Sequence, residues 1–326
     1  MKDQIITKKI LNWYDLNKRS LPWRKNVSQS KRHYYTLVSE FMLQQTQVVT
    51  VIPYFNRFIN KIPNLKKLSK TQDRELIKLW EGLGYYSRVR NLKKTAKIII
   101  NEYHGKIPNN YEDLISLPGI GNYTAYAVLA IAFNKSYIPL DGNIERVLKR
   151  YLYLKKVKEI QKDNLIQKKS IFGISSRSSD YAQALMELGA MICKPKNPEC
   201  SECPIAKGCK SYKKKDFNLA KITKKNKEKY FILKVYKKNQ KYLLVKNTRF
   251  NFLKNLAIFP MEELSNPKNF NENLNFKMSN MNMNIKIEYL KNVKRFPSSY
   301  WFDKRKLDNY MLPTFTKKVV KYLEKK

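Results

Sequence analysis

Apolar residues return at three- and four-residue spacing through Tyr34–Val49, Leu76–Trp80, Leu92–Ile100, Tyr111–Leu117, Tyr123–Phe133 and Tyr181–Ile192, with little alternation. That period predicts helices, so residues 1–209 read as a mainly α domain. Short punctuators such as Ile62-Pro63-Asn64 and Ile107-Pro108-Asn109 separate the segments. From Lys210 to Lys229 the chain carries nine lysines and no clear amphipathic period, which predicts a basic linker over 210–229. Beyond it the texture changes. Tyr230–Tyr236 and Tyr242–Val245 are β-rich runs split by Lys237-Lys238-Asn239-Gln240-Lys241, which predicts a hairpin between them. Ser265–Asn284, rich in methionine and asparagine, reads as a loop of low complexity. Pro313–Leu323 reads as a closing helix, so 230–326 is expected to form a small α+β domain.

A chain of 326 residues can form two cores. Lys and Arg number 66 against 26 Asp and Glu, a net charge of +40, which directs the search toward a polyanionic partner, nucleic acid above all. A lysine-, isoleucine- and asparagine-rich composition inflates the magnitude more than it explains the sign. No run of 18 apolar residues is present, so neither a membrane span nor a membrane partner is expected. Met1–Lys9 lacks the apolar core of a signal peptide, which predicts a cytoplasmic chain. All four cysteines fall within seventeen residues, unlike a disulfide framework spread through a secreted domain.

Three places carry candidate chemistry. Leu117-Pro118-Gly119-Ile120-Gly121-Asn122-Tyr123-Thr124 sets two glycines two residues apart, which suits a tight turn with bare backbone N–H groups. The helix predicted from Thr124 would point its positive end at the same phosphate. Asp141 opens a second helical pattern, where amides and helix dipole favour the anion, although an Asp in that place is most often a simple cap. Glu40 lies mid-helix among apolar neighbours, where burial raises a carboxyl pKa, unless it belongs to a solvated face. Two carboxyls pushed in opposite directions suit an acid and a stabilising anion. Cys193, Cys200, Cys203 and Cys209 are spaced C-x6-C-x2-C-x5-C. Four thiolates hold either a structural zinc or a [4Fe–4S] cluster, and the presence of a single C-x2-C favours iron–sulfur.

Together these residues resemble the helix-hairpin-helix DNA glycosylases, and within them the MutY-type adenine DNA glycosylases. The resemblance runs through Leu21-Pro22-Trp23-Arg24, Ser39–Gln47, Trp80–Leu92, the glycine hairpin, Asp141-Gly142-Asn143 and the four cysteines. It covers 1–209 well and the remainder loosely. The endonuclease III type shares the hairpin, aspartate and cysteines but carries a lysine nucleophile where this chain has Tyr123, and it lacks Glu40–Thr46. A lysine amine forms a Schiff base that leads to strand cleavage, which a tyrosine cannot do. The resemblance therefore implies a monofunctional base-excision-repair enzyme that hydrolyses the N-glycosidic bond of adenine mispaired with 8-oxoguanine or guanine in double-stranded DNA. A [4Fe–4S] cofactor held by Cys193, Cys200, Cys203 and Cys209, a monomeric state and a place at the nucleoid of a prokaryote go with it.

For single residues the resemblance implies that Glu40 protonates a base rotated out of the duplex, and that Asp141 stabilises the oxocarbenium-like sugar by charge or by a covalent adduct. It places Tyr123 and Asn143 beside them. Trp23, Arg24 and Glu187 match positions lining the adenine pocket, and Gly119 and Gly121 match the phosphate-gripping turn. Gln45, Thr46, Leu83 and Tyr85 match positions at the duplex, Gln45 and Tyr85 entering it. Arg146 resembles a donor to a cluster cysteine. In the second domain, Phe250–Pro260 and Tyr300-Trp301-Phe302 with Leu312-Pro313 resemble a Nudix-like fold that reads 8-oxoguanine. No Nudix glutamate cluster is present, so pyrophosphate hydrolysis is not expected. The Phe-Ser-His or Phe-Thr-His reader is also missing, since the two histidines are His33 and His104, and Phe296-Pro297-Ser298-Ser299 is its nearest counterpart. That departure keeps open a glycosylase of altered or relaxed mismatch specificity. The alternative from another class is a non-catalytic, cluster-stabilised DNA-binding protein, against which Glu40 and Asp141 both stand.

Overall fold

The computed structural model describes residues 2–156, 169–219, 226–265, 267, 270–278, 280–292, 296–305 and 312–325. Residues 157–168, within the stretch read as helical, and 220–225, within the expected linker, lie outside them. The chain forms two units, Met1–Asp73 with Ser87–Ile222 and Arg74–Tyr86 with Thr223–Lys326.

The first unit is helical. It contains α1 (Lys2–Asn17), α2 (Gln29–Leu43), α3 (Val48–Lys61), α4 (Leu65–Lys70), α6 (Ser87–Glu102), α7 (Tyr111–Ser116), α8 (Asn122–Ile131), α9 (Gly142–Leu152), α10 (Ser178–Glu187) and the short α11 (Lys210–Lys213); α5 (Asp73–Leu79) crosses into the other unit. The helical period over Tyr34–Val49 does not survive as one helix. Helix α2 stops at Leu43 because Gln45 turns into the left-handed region at φ +58, and α3 starts afresh at Val48. A core of Ile6, Ile10 and Tyr14 on α1, Ile144, Val147 and Leu148 on α9, and Tyr181 and Leu185 on α10 locks three helices together. Helix α9 thereby gains a fixed N-terminus, and Asp141 is its cap. No helix among the described residues is long and apolar enough to cross a membrane.

The second unit carries two sheets and the helix α12 (Thr314–Leu323). One sheet runs β5-β1-β7-β6, with β1 (Lys227–Val235) parallel to β7 (Met281–Tyr289) and antiparallel to β5 (Met261–Leu264). In the other, β3 (Lys241–Lys246) pairs with β2 (Lys237–Lys238), β4 (Ala257–Ile258) and β8 (Ser299–Asp303). Phe231, Leu233, Tyr242, Leu244, Phe302 and Phe315 share one core.

Two expectations are corrected here. Tyr230–Tyr236 and Tyr242–Val245 meet only at their near ends, where the Leu243 amide donates to Tyr236 O at 3.1 Å; the body of the first run pairs elsewhere. Lys237 and Lys238 make their own short strand against β3 across Asn239 (φ +52), and β1 leaves for the other sheet. Ser265–Asn284 is not simply a loop either. It holds β6 (Leu274–Met278) and the start of β7, paired antiparallel, with Leu274, Phe276 and Met278 on one face. Methionines alternating with asparagines made a half-buried strand look like biased composition. Helix α11 and the first residues of β1 likewise occupy both ends of the stretch read as a linker.

Candidate active site

Helices α2, α8, α9 and α10 with the Arg19–Arg24 segment surround a cavity of about 700 Å³ lined by Glu40, Tyr123, Asp141, Asn143, Trp23, Arg24 and Glu187. A cavity of about 790 Å³ at the opposite end of α2 contains His33 and Asp113 but no pair of carboxylates, so the chemistry belongs to the first.

Glu40 is 4 % exposed, and burial pushes its carboxyl up to about 7. The Tyr123 hydroxyl bound to it pulls the other way, Asp141 pushes it further up, and Arg24 opposes that. Its Oε2 is buried without a hydrogen-bond partner. Asp141 caps α9, accepting from the Ile144 amide at 2.7 Å and from the Asn143 side chain at 3.0 Å. The expectation that these amides leave Asp141 below its ordinary value is corrected. Its burial raises the pKa, and the capping bonds only offset part of that rise. The two carboxyls thus shift in the same direction, and Glu40 lacks the backbone donors that restrain Asp141.

Glu187 is fully buried and already engaged. Arg19 grips it through Nε at 2.6 Å and Nη2 at 3.0 Å, and Arg24 holds it at 2.8 Å. Its carboxylate therefore orients two arginines, and Nε of Arg24 remains buried without a partner. Trp23 stands edge-on to Phe55 with ring centres 5.3 Å apart. Sequence reasoning missed Arg19, which stands two residues before the Leu21-Pro22-Trp23-Arg24 run. It also missed Gln44, whose side chain donates to Gly119 O at 3.2 Å and Thr124 Oγ1 at 3.3 Å. Neither has a signal in composition or period.

The hairpin between α7 and α8 behaves as its glycines predict. Gly119 has φ +83 and packs so closely that a Cβ would lie 2.8 Å from Asn91 Cβ and 2.9 Å from Phe41. Gly121 instead faces open space and starts α8, whose first amides receive no side-chain cap. Those bare N–H groups at a helix N-terminus suit an anion. Gln45 is exposed, and Thr46 closes its turn by donating to Leu43 O at 3.1 Å. Leu83 and Tyr85 belong to the second unit. Tyr85 is 44 % exposed, so it is no core aromatic, but Leu83 is 5 % exposed. The Leu83 side chain is packed inside, which leaves only its backbone to meet a duplex.

The four cysteines are half-buried and none is in a disulfide. Burial raises Cys200, Cys203 and Cys209, Cys203 to about 12, and each is raised further by its neighbouring cysteines, so the four share one electrostatic environment. Among the described residues, no group of three or more His, Cys, Asp or Glu side chains forms a site for a single metal ion. Arg146 does donate to one of the four cysteines, at that residue's backbone carbonyl. Arg146 reaches the backbone carbonyl of Cys193 at 2.6 Å and Asn143 Oδ1 at 2.7 Å, whereas Arg150, one turn on, meets Cys193 Sγ at 3.4 Å. Arg150 also holds Lys194 O and Pro195 O, which fixes the start of the cysteine loop.

A family model described as HhH-GPD superfamily base excision DNA repair protein matches residues 38–169. The adenine DNA glycosylase of Buchnera aphidicola subsp. Schizaphis graminum is 39% identical over 264 residues, covering 78% of this chain and 74% of that protein. That of Buchnera aphidicola subsp. Baizongia pistaciae is 43% identical over 259 residues, 77% and 72%. The Homo sapiens protein of the same name is 40% identical over 215 residues, 62% of this chain and 38% of its own length. A thermostable thymine-DNA glycosylase structure superposes with a TM-score of 0.57 at 28% identity, covering 65% of this chain and 97% of that one. An endonuclease III–DNA complex shares the fold at 23% identity, with a TM-score of 0.51 and the same coverage. With 72–74% of two such relatives spanned at 39–43% identity, the chain belongs to the adenine DNA glycosylase family of the HhH-GPD superfamily.

Proposed function

We propose that this chain removes adenine mispaired with 8-oxoguanine or guanine from duplex DNA by hydrolysing its N-glycosidic bond, and leaves the strand intact. The observation that carries this reading is Glu40: a buried carboxyl raised to about 7, with one oxygen unpartnered, lining a cavity that Asp141 and Tyr123 share. A base inside the stack is out of reach of such a group, so the target must first swing out of the duplex. Glu40 then delivers its proton to a ring nitrogen and turns adenine into a leaving group. Asp141, held by Ile144 and Asn143, supplies the negative charge that stabilises the developing sugar cation, and water then adds to that carbon and gives up a proton to complete the hydrolysis. Tyr123 is bound to Glu40 and its burial raises its own pKa well above the ordinary value, so it stays neutral and leaves lysine-type strand cleavage without a nucleophile.

The same reading assigns a [4Fe–4S] cluster to Cys193, Cys200, Cys203 and Cys209. The donor chemistry fits, being four free thiols with no histidine among them, on a loop whose start is pinned by Arg150. Bound iron would keep all four as thiolates despite their burial. The cluster's part is structural, holding the loop that carries the exposed Lys196, Lys207 and Lys210. A relaxed mismatch preference is the second reading. It is favoured by the turn Phe296–Ser299, where exposed Ser298 at φ +54 and Ser299 stand and no histidine follows.

The deciding experiment measures base release from duplexes with A opposite 8-oxoguanine, G, T or C, with Glu40→Gln as control. Release opposite 8-oxoguanine and G, with little opposite T and a silent control, is expected. Equal rates opposite 8-oxoguanine and T would refute lesion-directed repair, and no release at all would refute the enzyme.

A further inference from the structure

Helix α2 ends one turn after Glu40, whose carbonyl accepts the last helical bond from the Gln44 amide, and the four carbonyls that follow, Phe41 to Gln44, are out of reach of helical amides. All of them are nevertheless engaged. Leu43 O accepts from the Thr46 amide at 3.1 Å. Phe41 O and Met42 O accept from Nη1 of Arg88 at 3.2 and 2.7 Å, and Gln44 O, just past the helix, accepts from the same nitrogen at 2.5 Å. Arg88 is the second residue of α6 and is 6 % exposed. Its charge therefore sits at the negative end of α2 where water hardly screens it.

Many helices end with a glycine that adopts the left-handed conformation unaided. Here the chain places Gln44 and Gln45 at that end, and Gln45 takes φ +58 without the freedom of a glycine. The turn depends on an outside donor, and Arg88 is that donor. From the other side, the Gln44 side chain ties the same turn to Gly119 and Thr124 at the hairpin.

We propose that Arg88 is the positioning residue that presets the Gln45 turn, so that the hairpin's hold on the DNA backbone and the entry of Gln45 into the duplex act together when the target base is extruded. The proposal rests on the reading of Gln45 as the residue that enters the duplex. Lysine does not replace Arg88, because all three carbonyls meet Nη1 at the far end of the guanidinium and a lysine ammonium ends one bond short of that atom.

The test uses the full chain and a duplex with 2-aminopurine as the target base, whose fluorescence reports extrusion, alongside single-turnover release of adenine across pH. Arg88→Lys is expected to lower both the extrusion signal and the single-turnover rate, the rate by about tenfold or more. The pH midpoint set by Glu40 should not move. Gln45→Ala should lower the same signal, and combining it with Arg88→Lys should add less than about twofold, because both act at one step. Full extrusion in Arg88→Lys, a displaced pH midpoint, or additive losses would each overturn the proposal while leaving the glycosylase reading standing. Unchanged extrusion in Gln45→Ala would remove the premise and the proposal with it, and no adenine release by the unaltered chain would refute the function itself. Should Arg88→Lys not fold, amide exchange in the unaltered chain without DNA decides. Protected Gln44 and Thr46 amides support a preset turn, and exchange at the open-chain rate overturns it.

Discussion

Replacing Glu40 by glutamine separates activity from stability, because the burial that makes Glu40 a useful acid also makes it a liability. An ordinary glutamate at 4.5 would carry a proton in roughly one molecule in three hundred at pH 7, whereas Glu40, raised to about 7, carries one in about half. Glu40→Gln removes that proton and is expected to lower single-turnover base release by about 10²–10⁴-fold. Stability moves the other way. The folded pKa lies above the unfolded one, so the stabilisation is complete below about pH 4.5, declines as pH rises, and is lost above about 7. A rise from 4.5 to about 7 corresponds to about 3 kcal/mol, since each unit is worth about 1.4 kcal/mol. The variant has no such loss. Thermal melts should therefore nearly coincide at pH 4.5 and separate by roughly 6–12 °C at pH 8, with Glu40→Gln the more stable protein. Full activity in the variant would refute the acid role, and a melting difference that does not change with pH would refute burial as the source of the shift.

Tyr123→Phe removes the hydrogen bond that lowers the Glu40 pKa, so the pH at which base release falls by half should move upward; a downward shift in the pH–rate profile would contradict the geometry. Gly119→Ala forces a Cβ to within 2.8 Å of Asn91 at a positive φ and should cost about 2–4 kcal/mol in denaturant unfolding, while Gly121→Ala, with open space at its Cβ, should cost less than about 1 kcal/mol. Equal losses would refute the division of labour between the two glycines. Glu187→Gln leaves Arg19 and Arg24 facing a neutral amide in a buried site and should destabilise by about 3–5 kcal/mol, read by urea unfolding. A loss of base release with unchanged stability would instead make Glu187 a direct ligand of the base.

Elements whose signals are local were legible in the chain. Gly119 and Gly121 specify their turn because backbone conformation is a property of those residues, and Asp141 caps α9 because a short carboxylate reaches amides two and three residues on. Apolar periodicity over Leu92–Ile100 and Tyr123–Phe133 located α6 and α8 to within a few residues. Glu40 among apolar neighbours already implied a carboxyl that resists ionisation. The rest emerged with the folded chain, because those properties belong to pairs of residues distant in sequence. The direction of the Asp141 shift follows from burial by surrounding helices, which outweighs the local caps that the sequence displays. Arg19 and Arg24 converge on Glu187 across more than 160 positions, and Arg88 ends α2 from 44 to 47 residues away. The strand partners of β1 were equally hidden, since a β-rich run is compatible with more than one partner and a parallel partnership with β7 leaves no turn to read.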